Sequence, residues 1–124
     1  MTPLITRQIH GKRFVRACNA SAMPGDHGVS IEFDDTHDVA VFYIDRTWYA
    51  VSNVCPHKRL HVLCNGLISV TSVQCPMHGW RFDLRTGRNL QSGASLRTYD
   101  IIEVDGWAWV EWPEEEVPAW TKGL

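Results

Sequence analysis

Two short segments, Cys55-Pro56-His57 and Cys75-Pro76-Met77-His78, each place a thiol and an imidazole close together, and 17 residues separate His57 from Cys75. Thiolate sulfur and imidazole nitrogen are ligands for zinc and iron. Two of each suit one tetrahedral zinc. Zinc modules of that composition, however, usually gather both cysteines on one knuckle and both histidines on another segment. Here each segment supplies one of each, an arrangement that lets two cysteines hold one iron and two histidines a second. The proline after each cysteine restrains the backbone and removes an amide donor at each loop. A structural zinc module without redox chemistry is the competing reading.

Such loops need rigid elements to present them, and the chain reads as strands. No stretch of 12 residues keeps an apolar stripe at helical spacing, whereas short strand signals recur. Val39–Ile44 and Thr47–Ser52 flank a tight Asp45-Arg46 turn and form a hairpin. Ser95–Val104 and Trp107–Trp112 flank Asp105-Gly106, a pair suited to the positive φ of a hairpin turn. Trp80–Asp83 and Arg88–Leu90 enclose the turn signal LRTG, and Phe14–Cys18 and Val29–Phe33 are separated by NASAMPGDHG. The expectation is an all-β domain of short antiparallel strands. The tail from Pro113, with Pro118 and three consecutive glutamates, reads as irregular.

Composition bounds the function classes. The 124 residues fit one domain, 1–124, large enough to bury a core without disulfide staples. A net charge of −2 argues against nucleic acid as the main partner. No apolar run approaches the length of a membrane span, and MTPLITRQIHGKRF lacks the apolar core of a secretory signal. A cytoplasmic location is the expectation.

The pattern C-x-H, 17 residues, C-x-x-H, followed by Gly79-Trp80-Arg81-Phe82-Asp83 and Thr86-Gly87, resembles the Rieske family from about Phe14 to Trp112. CPMHGWRFDLRTG is similar to the Rieske domains of ring-hydroxylating oxygenases. CPHK and LRTYDIIEVDG also resemble the small subunit of assimilatory nitrite reductases. The resemblance implies a Rieske fold with a small cluster-binding subdomain at about 54–84 and one 2Fe–2S cluster. It assigns Cys55 and Cys75 to the inner iron, and His57 and His78 to the outer iron near the surface. It further implies an electron carrier of the Rieske ferredoxin kind, loaded by a reductase and unloaded by a terminal oxygenase. The alternative is a nitrite reductase small subunit working with a large subunit. Neither implies activity of the chain alone: an oxygenase also needs a mononuclear iron on two histidines and a carboxylate, and no histidine follows His78.

Departures from the family pattern carry information. High-potential Rieske proteins add a disulfide between the loops, but the corresponding positions are Leu60 and Met77. Their serine and tyrosine hydroxyls, which bond to cluster or ligand sulfur and favour the reduced state, are replaced by Trp80 and Phe82. A potential toward the low end of the family's range of about −150 to +300 mV follows. The first loop continues KRLHVLCNG, bulkier and more basic than the small residues of many relatives. Its His61 is weighed as a competing ligand and read as a surface histidine.

Cys18 and Cys64 lack ligand spacing and read as small hydrophobes. His10, His27 and His37 read as solvated, and Trp107, Trp109 and Trp112 as sheet-face packing. Between Cys55 and Arg88, Lys58, Arg59, Arg81, Arg85 and Arg88 oppose only Asp83, a surplus of four positive charges. This excess reads as scattered solvated charge or as a basic rim that steers an acidic partner.

Overall fold

The computed structural model describes residues 5–33, 37–56, 59–77, 79–91 and 93–112. His57, Lys58, His78 and the tail from Pro113 therefore lie outside the described residues. Among the described residues, twelve strands and two 3₁₀ turns make up the regular structure. All strand pairs are antiparallel, as expected for an all-β chain. No helix among the described residues is long and apolar enough to cross a membrane.

Strand β4 (Asp38–Ile44) organises the interior. It lies between β3 (Val29–Glu32) and β5 (Thr47–Ser52), and Val39, Ala40, Val41 and Phe42 are all 0% exposed. Alternate side chains leave a strand on opposite faces. Val39 and Val41 join a core with Val15, Phe33, Ala50, Tyr99 and Val110. Ala40 and Phe42 join a second core with Val51, Cys55, Leu63, Cys64, Val73, Cys75, Phe82 and Leu84. The continuous apolar run Val39–Phe42 is thus a strand buried on both faces.

The first core packs against a four-stranded sheet in the order β1 (Thr6–Ile9), β2 (Lys12–Asn19), β12 (Trp107–Glu111) and β11 (Ile101–Val104). Its tryptophans lie beneath guanidinium groups: Arg16 is 4.3 Å from the Trp107 ring centroid, Arg13 4.4 Å from Trp112 and Arg7 4.8 Å from Trp109. This agrees with the packing reading of these residues.

The second core carries the loops of interest. It is framed by the pair β6 (Val54–Cys55) and β7 (Leu60–His61), and by a sheet of β8 (Leu67–Ser69), β9 (Ser72–Gln74) and β10 (Arg81–Asp83). These elements span Val54 to Asp83.

Two strand expectations need correction. Only Ile101–Val104 of the stretch 95–104 is strand, because the preceding residues cross to other elements. There the Leu96 N–H donates to the Gly87 carbonyl and the Tyr99 N–H to that of Ala50. Arg88–Leu90 is not a strand: Asn89 makes an isolated bridge to Phe82, while the main partner of β10 is β9.

Candidate metal centre

Cys55 ends β6 and Cys75 directly follows β9, so each stands where a strand gives way to a loop. The two loops close in the same way. The Arg59 N–H donates to the Cys55 carbonyl at 2.7 Å, and the Gly79 N–H to the Cys75 carbonyl at 3.1 Å. The fifth residue of each turn has positive φ, +55° at Arg59 and +78° at Gly79. Glycine adopts that conformation without strain; arginine does not. The strands then rejoin, with Cys55 opposite Leu60 and a 2.7 Å bond from the Cys75 N–H to the Trp80 carbonyl.

Both thiols are 1% exposed and share one apolar core, and neither is in a disulfide. Such thiols, each heading a surface loop that also carries a histidine in sequence, fit the inner half of a Cys₂His₂ two-iron site. Cys64 belongs to the same core, but it follows the first loop within a 3₁₀ turn (Leu63–Asn65). Burial pushes the half-buried Cys18 thiol up to about 11, so it is a poor source of thiolate. Among the described residues no three His, Cys, Asp or Glu side chains form a metal cage.

The first loop is anchored by Asn53, 2% exposed. Its Nδ2 donates to Asp38 Oδ2 at 2.9 Å, and its Oδ1 accepts the Cys64 N–H at 2.7 Å. Its carbonyl accepts the N–H groups of Val62 and Leu63, so one residue ties both ends of the loop to β4. His61 Nδ1 lies 2.5 Å from Asp38 Oδ2 with the ring largely exposed, which makes it a surface histidine paired with a carboxylate. His37, expected in solvent, is 3% exposed and packs edge-on against Tyr99. His10 and His27 are exposed as expected.

Trp80 is half-buried against the second core, and Phe82 is fully buried within it. Asp83 ends β10 and binds Arg85, whose Nη2 lies 3.0 Å from Oδ2. The Arg85 guanidinium holds the Asp83 carboxyl below the usual carboxylate range. Asp83 is the one carboxylate already set against the five cations between Cys55 and Arg88, so this pairing leaves the surplus of four unchanged. Arg59 and Arg81 are exposed and make no ion pair among the described residues. Leu60 and Met77, where a disulfide is absent, are 38% and 53% exposed at the loop surfaces.

Paired loops thus bring two buried thiols to one core. Residues 13–111 match the family model of the Rieske-like [2Fe-2S] domain, and the chain belongs to that family with a Rieske-type 2Fe–2S cluster as its cofactor. It is 31% identical over 101 residues to the 3-phenylpropionate/cinnamic acid dioxygenase ferredoxin subunit of Photorhabdus laumondii, covering 80% of this chain and 94% of that one. Identity is 33% over 103 residues to the nitrite reductase [NAD(P)H] of Emericella nidulans, covering 75% of this chain but 9% of that enzyme. Among solved structures the Sphingomonas yanoikuyae B1 ferredoxin aligns with a TM-score of 0.72 and 25% identity, over 81% of this chain and 99% of that chain.

Proposed function

We propose that this chain is a Rieske ferredoxin-like carrier that passes single electrons from a reductase to a terminal oxygenase. The observation that carries this reading is the site itself: two matching hairpin loops whose thiols are buried at the base while Arg59, Leu60 and Met77 stand at the surface. A bound cluster supplies a reversible one-electron couple. Cys55 and Cys75 hold the inner iron in the apolar core, and His57 and His78 hold the outer iron. Leu63, Phe82 and Leu84 keep water from the inner side. The near full-length match to a dioxygenase ferredoxin subunit supports the carrier role. We read 1–124 as one domain and the location as cytoplasmic.

The similarity to a segment of a nitrite reductase favours a second reading, a Rieske component of such an enzyme. Co-purification under anaerobic conditions separates the two: an oxygenase or flavoprotein reductase supports the carrier, and a large sirohaem-containing subunit overturns it. The potential is a second test. With Trp80 and Phe82 in place of hydroxyl donors, it should fall toward the lower limit of about −150 mV, and a value near +300 mV contradicts the reading.

A further inference from the structure

The second loop is held from two sides, and the outer hold comes from a residue well beyond the ligand motif. On the inner side, the Gly79 N–H and the Trp80 carbonyl both bond to the backbone of Cys75. On the outer side, the Arg81 N–H donates to Gln91 Oε1 at 2.9 Å, and Gln91 Nε2 donates to the Gly79 carbonyl at 3.4 Å. One side-chain amide thus spans Gly79 to Arg81, bridging the glycine whose φ is +78°. Glycine is the least restrained residue of such a turn, so a clamp across it removes the most freedom.

Gln91 is itself held in place. Its N–H donates to Asn89 Oδ1 at 3.0 Å, and the Leu90 N–H donates to the Arg81 carbonyl at 2.8 Å. Asn89 is buried and bridges Phe82. Just beyond, a Cβ built on Gly93 would lie 3.3 Å from the Trp80 ring, so the backbone at Gly93 lies against the residue that follows Gly79. The Gln91 side chain is exposed and fills no core space, so its contribution is the two hydrogen bonds.

We propose that Gln91 is a positioning residue for the cluster: by fixing the backbone that immediately follows His78, it slows cluster release and limits water access to the sulfurs. The inference rests on the ligand assignment proposed above. A looser turn admits water, which favours the more negative reduced state and raises the potential.

The test compares the cluster-loaded parent with Gln91→Leu, which keeps the bulk without the amide, and Gln91→Glu, which keeps an acceptor for the Arg81 N–H. Iron release to a chelator is followed by the loss of visible absorbance, alongside midpoint potential and thermal unfolding. Two exposed hydrogen bonds correspond to roughly tenfold in rate. The expected result is release about tenfold faster and a raised potential in Gln91→Leu, with Gln91→Glu within about threefold of the parent. Parent-like release and potential in Gln91→Leu overturn the inference, as does equal acceleration in both variants. A parent protein without two irons and two labile sulfides overturns the ligand assignment, and this inference with it.

Discussion

Asn53 Oδ1 accepts the backbone N–H of Cys64 at 2.7 Å, joining two buried residues on either side of the first cluster loop. Because the same amide donates to Asp38, its removal leaves a buried N–H and a buried carboxylate each short of a partner. Each such loss costs about 1–3 kcal/mol, so Asn53→Ala should lose about 2–4 kcal/mol in total. Chemical denaturation of cluster-loaded protein checks the figure. A loss below about 0.5 kcal/mol would show that the loop closes without this residue.

The four cysteines should separate into two classes. Cys55→Ser and Cys75→Ser should each abolish the cluster, whereas Cys18→Ala and Cys64→Ala should retain about two irons and two sulfides per chain. Cys64 is in the core, so its truncation should lower stability by about 1–2 kcal/mol without discharging iron. Iron and acid-labile sulfide assays give the answer, and full cluster content in either serine variant would refute the assignment.

Cys18 gives a pH test independent of the cluster. With its thiol pushed up to about 11, only about one molecule in a thousand carries the thiolate at pH 8. A raised folded value favours the protonated thiol, so the associated stability is present below the ordinary thiol range and is lost as pH rises toward 11. Alkylation followed by mass spectrometry should find Cys18 almost unmodified at pH 8 and increasingly labelled above pH 10. Rapid labelling at pH 8 would contradict its burial.

Elements close in sequence were legible from the chain, and contacts between distant residues were not. The Asp45-Arg46 hairpin lies where alternation and turn chemistry place it, because both determinants are local. The hairpin of β1 and β2 around His10-Gly11 was missed: Thr-Arg-Gln-Ile shows no apolar alternation, and β1 is mostly exposed. Gly11 after His10, with both φ values positive, was the signal available. Cys55 and Cys75 were visible through their spacing. Asn53 and Gln91 were not, since each acts on partners 10 to 15 residues away and neither type is unusual in a loop. His37 was misread because its neighbours look like a turn, yet it directly precedes the doubly buried β4.

The last prediction concerns Arg59, where stability and docking should move in opposite directions. Its φ of +55° matches that of Gly79 in the other loop, but arginine pays a steric penalty there that glycine avoids. Arg59→Gly should therefore raise stability by roughly 1 kcal/mol while leaving the cluster intact. The side chain stands exposed beside Leu60, and among the described residues no carboxylate neutralises it. If the outer face of the loops is where an acidic redox partner docks, Arg59→Glu should slow association by roughly threefold to tenfold at low salt. That difference should fade as the ionic strength approaches 1 M, where the screening length shortens to about 3 Å. Arg59→Gly should give a smaller slowing of the same kind. Stopped-flow electron transfer with the co-purifying partner, at several ionic strengths, measures the docking arm, and thermal unfolding measures the other. Rates indifferent to both substitutions would remove the basic-rim reading, while a destabilised glycine variant would show that contacts of the side chain outweigh the strain.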